Sequence, residues 1–105
     1  MKTANSCGAE LSHEVLARMA QVLKLLAHPY RLKVIEILED EDEAPVHAIV
    51  ERLGLPQGAT SQHLNQMRRA NLISAERRGK EVWYRIADRR SLTILNCIRG
   101  KGGKR

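Results

Sequence analysis

Aromatic residues are scarce in this 105-residue chain, which has one Trp, two Tyr and no Phe. Its core must therefore be built mainly from aliphatic side chains. Because a single short domain buries only a modest core, association with a second copy would extend that core usefully. We expect a single domain.

The chain also lacks the features of membrane and secreted proteins. No apolar run approaches the roughly 20 residues that cross a bilayer, and residues 1–10 lack the apolar middle of a signal peptide. The two cysteines do not form a disulfide framework in a chain without a secretory signal. We expect a cytoplasmic protein that does not contact a membrane.

Motifs of catalysis are missing as well. The chain has no Cys-x-x-Cys pair, no Gly-rich phosphate loop and no nucleophile with an evident base. The sequence therefore predicts a protein that is not an enzyme and that carries no cofactor.

Charge is unevenly distributed along the chain, whose formal net charge is +6. Residues 64–105 hold 12 Lys and Arg against three acids, a net of +9, whereas residues 39–43 are five consecutive acids. A basic half of this kind favours double-stranded DNA as a partner. The acidic run is expected to be a solvated loop between two helices.

The segment 55–64, with the sequence LPQGATSQHL, is typical of the second helix of a helix-turn-helix. Gly54 precedes it and can supply the left-handed residue that ends the first helix. Three residues of the second helix are expected to face inward: Leu64, Met67 and Ala70. Polar residues on its other face can reach the edges of DNA bases: Gln57, Thr60, Ser61, Gln62 and Asn65. The alternative interpretation is an amphipathic helix with an ordinary polar face.

Two strand-like segments follow, at 72–76 and 81–87, and they predict a β-hairpin with a basic tip. Gly79 lies where a short loop needs a positive φ. A helix-turn-helix followed by such a hairpin is the layout of a winged helix, whose wing contacts phosphate or the minor groove. Arg78 and Lys80 are the predicted wing contacts, although a basic tip can also be only a solvated edge.

Three more helices complete the predicted fold. Ser12 is expected to cap a first helix that ends near residue 27, and Pro29 to begin a second that ends near residue 39. Asp88 is expected to cap a last helix that ends near residue 99. The predicted fold class is thus mainly α, a winged helix-turn-helix with about five helices and a two-stranded wing.

The domain is expected to span residues 11–99. It lies between a flexible N-terminal arm at 1–10 and a basic C-terminal tail at 100–105. The tail, broken by glycines, can add loose attraction to phosphate.

Four segments in combination resemble the ArsR/SmtB family of small bacterial winged-helix repressors. They are AHPYRL at 27–32, LPQGATSQHL at 55–64, ANLI at 70–73 and RRGKEVWYRIAD at 77–88. The resemblance implies a homodimeric repressor that binds a pseudo-palindromic operator. It also implies that the first and last helices form the dimer interface, with Leu92 and Leu95 buried there. His63 and Arg68 complete the predicted DNA-binding set.

The effector is less well indicated by the sequence. Metal-sensing members of the family carry a Cys-x-Cys in the helix before the turn, or an Asp and several His on the last helix. Neither set occurs here, so we expect no metal site. Cys7 and Cys97 remain, on elements that can approach each other in the family's dimer. A thiol pair there can be oxidised or bind a soft thiophile, but the simpler interpretation is a free cysteine in the arm and a structural cysteine at the interface.

One alternative function belongs to a different class. Some winged-helix modules bind another protein and not specific DNA. Such a module predicts an apolar patch on the recognition helix, whereas Gln57, Ser61 and Gln62 make this surface polar. The sequence therefore favours a DNA-binding regulator, released by a small effector.

Overall fold

The computed structural model describes residues 10–100, which form five helices and three strands. In chain order, the elements are α1 (His13–Leu26), α2 (Pro29–Glu41), β1 (Glu43–Pro45), α3 (Val46–Leu53), α4 (Gln57–Arg69), β2 (Ile73–Arg78), β3 (Glu81–Ile86) and α5 (Arg90–Arg99). None of these helices combines the length and the apolar character needed to cross a membrane. The predicted helices and hairpin are confirmed, whereas most of the predicted arm and tail, with Cys7, lies outside the described residues.

Local sequence explains where the helices begin. The Ser12 hydroxyl oxygen accepts a hydrogen bond from the backbone N–H of Val15 at 3.2 Å, which caps α1. Pro29 occupies the first turn of α2, where its missing N–H has no helical partner to lose. Asp88 Oδ1 accepts from the backbone N–H of Arg90 at 3.0 Å at the start of α5. The first two helices begin where the sequence predicts, and α5 begins one residue later than a cap at Asp88 predicts, because its N-cap is Arg89.

The acidic run at 39–43 is largely exposed, as the sequence predicts, but it is not a loop between two helices. Its first three residues continue α2, Asp42 reverses the chain with a φ of +71°, and Glu43 begins β1. β1 pairs antiparallel with β3, so that Glu43 lies opposite Arg85. The wing is therefore part of a three-stranded sheet in the order β1-β3-β2 and not a two-stranded ribbon. A three-residue strand that ends in proline has too little alternation to be recognised from sequence.

The hairpin between β2 and β3 is closed by a two-residue loop. Arg78 pairs with Glu81, and between them Gly79 adopts a φ of +64°. Glycine reaches this left-handed region without steric cost, and glycine at the first position of a two-residue loop suits the twist of a hairpin. Lys80 is consequently presented at the tip. The predicted role of Gly79 is confirmed.

The core is aliphatic, as the composition predicts, and lies between the helices and the sheet. Its buried residues include Ile35, Ile37, Leu38, Ile49, Leu64, Met67, Leu72 and Ile73. Leu92 and Leu95 are also buried within this single chain, where α5 packs mainly on α2. The prediction that these two leucines are covered by the first helix and a partner subunit is therefore wrong. An amphipathic stripe shows which residues are buried but does not show what covers them.

Candidate nucleic-acid interface

The helix-turn-helix consists of α3, a short turn and α4. Gly54 ends α3 with a φ of +74°, and its N–H donates to the Val50 carbonyl. Leu64 and Met67 of α4 are fully buried. Ala70, predicted to face inward with them, is exposed because α4 ends at Arg69 and the chain turns away.

The outward face of α4 carries the predicted row of polar side chains. Gln57, Ser61, Asn65 and Arg68 follow one another at intervals of four, four and three residues, so they share one side of the helix. Gln62 lies beside this row and is exposed, as are Gln57 and Arg68. We call Gln57, Ser61, Gln62, Asn65 and Arg68 the polar row. Ser61 and Asn65 are partly exposed.

Thr60 is not part of the polar row, although the sequence analysis placed it there. Its side chain is fully buried, and its hydroxyl donates to the Pro56 carbonyl at 3.1 Å. Thr60 lies four residues before Leu64 and so shares the inward face of α4. The residue closes the first turn of the helix and does not reach a base.

Arg31 of α2 connects α4 to α1 and α2 through hydrogen bonds. Its Nε donates to His63 Nδ1 at 3.0 Å, and its Nη2 donates to Gln66 Oε1 at 2.7 Å. Its Nη1 donates to the Leu25 carbonyl at 3.3 Å, near the end of α1. One guanidinium thus joins three helices beneath the polar row. Sequence reasoning did not assign this role to Arg31, whose only signal is its place in the AHPYRL segment.

His63, which the sequence analysis included in the DNA-binding set, is partly buried and accepts the hydrogen bond from Arg31. The ring of His28 packs edge-on against it, with 4.6 Å between ring centroids. Burial lowers the pKa of His63, and the nearby charges of His28 and Arg31 lower it further. A neutral imidazole keeps the Nδ1 lone pair that Arg31 needs as an acceptor.

Acidification is expected to weaken this contact. Because the pKa of His63 is lowered in the folded chain, the stabilisation is fully present above the ordinary value of 6.5. It is lost as pH falls through the folded-state pKa, since the unfolded chain binds more protons in that interval. In the His63→Asn variant the asparagine Oδ1 supplies an acceptor near the position of the histidine Nδ1, and the asparagine side chain does not titrate. The Tm of this variant should therefore fall less than that of the wild type between about pH 7.5 and pH 5. Equal falls would assign the titration to a group other than His63.

Arg78 binds β1 to the hairpin. Its Nη2 lies 2.7 Å from Glu43 Oε1 and 2.8 Å from Glu76 Oε1, and its guanidinium carbon lies 4.9 Å from the centre of the Trp83 ring. These carboxylates hold the pKa of Arg78 above its ordinary range. The Arg78 guanidinium, predicted to contact phosphate, is therefore already engaged by two carboxylates within the sheet. Arg77 and Lys80 are exposed and form no ion pair within residues 10–100.

Potential effector ligands are sparse in the part of the chain that the structure describes. No three His, Cys, Asp or Glu side chains come together there in a way that can hold a metal ion. Cys97 is an exposed free thiol near the end of α5. Because Cys7 lies outside this part, the pairing of the two cysteines stays a prediction.

A sequence profile described as "Bacterial regulatory protein, arsR family" matches residues 28–75. The transcriptional repressor PagR of Bacillus anthracis is 40% identical over 79 residues, which are 75% of this chain and 79% of PagR. The chain belongs to the ArsR family. Its ArsR-family relatives also include the transcriptional repressor SmtB of Mycobacterium tuberculosis, 39% identical over 75 residues. That match covers 71% of this chain but 55% of SmtB, so the chain spans about half the length of that relative.

Solved structures of transcriptional regulators share the fold. The crystal structure of PagR superposes with a TM-score of 0.75 at 33% identity, covering 83% of this chain and 99% of PagR. A homodimeric winged helix-turn-helix DNA-binding domain from Mycobacterium bovis superposes with a TM-score of 0.70 at 28% identity, covering 87% of this chain and 86% of that domain. These matches confirm the predicted winged helix-turn-helix. The repressors named here are regulators and not enzymes.

Proposed function

We propose that the protein is a dimeric transcriptional repressor that binds a specific, pseudo-palindromic DNA operator and is released from it by an effector. The observation that carries this proposal is the polar row, which lies exposed on the second helix of the helix-turn-helix. In this architecture the second helix enters the major groove and its first turns contact the bases. The named repressors among the relatives support the same function.

Base readout is assigned to the first half of α4. Gln57 and Gln62 carry amides that can pair with the N6 and N7 positions of adenine, and Ser61 can donate to or accept from several bases. The unpaired backbone N–H groups at the start of α4 add a positive potential toward phosphate. This end of the helix is therefore suited to reading a base sequence.

Phosphate contacts are assigned to the basic residues around the polar row. Arg68 ends that row and is exposed. On the wing, Lys80 and Arg77 replace Arg78 as the proposed contacts because they are exposed and free of ion pairs within residues 10–100. Such contacts position a protein on DNA and make binding depend on salt without specifying sequence.

The alternative, a module that binds another protein through α4, is not favoured. The large apolar side chains that are exposed in the described part of the chain lie outside α4: Leu11, Leu16, Leu23, Tyr30 and Ile98. A protein-binding recognition helix would carry such residues itself. The surface of α4 is suited to base edges and phosphate.

A thiol-reactive effector remains part of the proposal. Cys97 is exposed, and an accessible thiol can be oxidised or can bind a soft ion. A divalent metal is less favoured because its usual three or four ligands are not gathered within residues 10–100. Comparing operator release by an oxidant in wild type and in Cys97→Ser separates a thiol effector from other kinds.

Gln62→Ala tests the proposed readout. Each good base contact contributes about 1–3 kcal/mol of discrimination, so affinity for DNA fragments selected from the source genome should fall roughly 5- to 150-fold. Affinity for random DNA should change little. Fluorescence anisotropy measures both, with Thr93→Ala on α5 as the control for loss of an exposed polar side chain elsewhere. Equal losses on selected and random DNA would show that Gln62 does not read sequence, and binding without any sequence preference would contradict the proposed function.

A further inference from the structure

A cavity of about 560 Å³ opens between α1, the end of α4 and the segment before α5. Its size lies within the roughly 300–1,000 Å³ that is usual for small-molecule sites. It is separate from the polar row, which faces outward from the first part of α4. Nothing in the proposed DNA contacts uses this cavity.

The walls of the cavity combine apolar surface with positive charge. Val22 and Leu25 of α1 provide an aliphatic wall. Three arginines also line the cavity, Arg18, Arg69 and Arg90, against a single acid, Asp88.

Asp88 cannot neutralise this group of arginines. Its Oδ2 already accepts from Arg90 Nη2 at 2.6 Å, and its Oδ1 accepts from Arg90 Nε at 2.9 Å. Arg18 and Arg69 have no carboxylate partner within residues 10–100. The cavity therefore holds two guanidinium groups whose charge is uncompensated there, which is a favourable place for an anion.

An amide on the cavity wall also favours an anion. Gln66 lines the cavity, and its Oε1 is occupied by the hydrogen bond from Arg31. Its Nε2 is thus left to donate. Guanidinium and amide donors together match the lone pairs of a carboxylate, and the aliphatic wall matches an attached apolar body.

We propose that this cavity binds a small organic anion, with its carboxylate on Arg18 and Arg69 and its apolar body against Val22 and Leu25. Gln66 belongs to α4 and lines the cavity, and its side chain also accepts the hydrogen bond from Arg31. Arg31 in turn donates a hydrogen bond to His63 of the same helix. A ligand that engages Gln66 therefore acts on the contact that positions the polar row. This consequence for operator affinity rests on the proposed function, whereas binding of the anion does not.

Octanoate is a suitable probe, and acetate is its control because it carries the same carboxylate without the apolar body. In an NMR titration without DNA, octanoate should give saturable shifts of the Gln66 side-chain amide and the Val22 backbone amide. It should bind at least about tenfold more tightly than acetate. Arg18→Ala should weaken octanoate binding about tenfold. Lys24→Ala, which removes a cation from α1 outside the cavity, should have no effect.

Several outcomes would overturn the proposal. They are the absence of saturable shifts, equal affinities for octanoate and acetate, and equal effects of the Arg18 and Lys24 substitutions. At the concentration that just saturates the wild type, octanoate should also change operator affinity at least about threefold, and by less in Arg18→Ala; octanoate binding without that change would overturn the coupling through Gln66. Because the titration contains no DNA, a failure to detect octanoate binding would not contradict the proposed function. If the unliganded protein does not recognise an operator, the proposed function is contradicted, but the proposal that the cavity binds an organic anion is not.

Discussion

Replacing Leu23 with glutamate is expected to give a folded monomer that no longer binds its operator. Leu16 and Leu23 lie seven residues apart on one side of α1, and each is 50% exposed. On α5, Ile98 is 64% exposed. These are the elements that the ArsR resemblance assigns to the dimer interface, so we expect a second copy to cover their apolar side chains.

The expected effect is large because a two-fold interface contains each substitution twice. Burying a leucine contributes about 1.5–3 kcal/mol, and an unpaired carboxylate in its place adds a desolvation penalty. Dimerisation should therefore weaken by more than about a hundredfold. A monomer carries one recognition helix instead of two, so it loses the second half-site and with it most of the operator affinity.

Sedimentation and circular dichroism check this prediction together. Leu23→Glu should sediment as a monomer with the helical spectrum of the wild type, and Lys33→Glu on the exposed face of α2 should remain dimeric. Leu95→Glu makes an informative comparison, since Leu95 is buried within one chain and its replacement should unfold the domain. A dimeric Leu23→Glu variant would place the interface on a surface other than α1.

Local signals account for the parts of the fold that the sequence predicted. Ser12, Pro29 and Asp88 act on backbone groups within three residues, and Gly79 satisfies the φ of its own loop. Interactions of this range are present in a short window of sequence. The helices, their starting points and the hairpin therefore follow from the sequence alone.

Contacts between distant residues explain where the predictions failed. Arg78 was expected at the tip of a free wing, but its partner Glu43 lies 35 residues earlier in a strand with no recognisable pattern. Arg31 contacts residues 32 and 35 positions away, at His63 and Gln66. Periodicity cannot identify such pairs, since it reports which face a residue occupies and not its neighbour.

The prediction that Thr60 lies on the outward face of α4 failed for a different reason. The spacing of Thr60, Leu64 and Met67 places all three on the inward face of α4, and this pattern is visible in the sequence. The polar character of threonine favoured the outward face in the interpretation. The structure shows that its hydroxyl is satisfied by the Pro56 carbonyl, which removes the cost of burying it. The periodic position was the better indicator here.

Replacing Arg31 with methionine is expected to destabilise the domain and to lower specific DNA affinity together. Methionine keeps much of the aliphatic stem but removes all three hydrogen bonds, leaving His63 Nδ1 and Gln66 Oε1 without their donor. Hydrogen bonds to charged groups contribute about 1.5–3 kcal/mol, and the partners left behind are partly buried. A loss of about 2–3 kcal/mol should lower Tm by roughly 10 °C or more in a domain of this size.

The loss of DNA affinity should exceed what unfolding explains, because Arg31 holds the helix that carries the polar row. Measured well below Tm, where the variant is folded, affinity for the operator should fall more than affinity for random DNA. Lys33→Met is the matched control, since it removes a cation from the same helix and breaks only an exposed ion pair with Glu36. Such pairs contribute about 0–1 kcal/mol, so this control should melt and bind nearly as the wild type does. If Arg31→Met is destabilised but keeps full operator specificity, the contact stabilises the fold without positioning α4. If its Tm is unchanged, the contact does not contribute to stability.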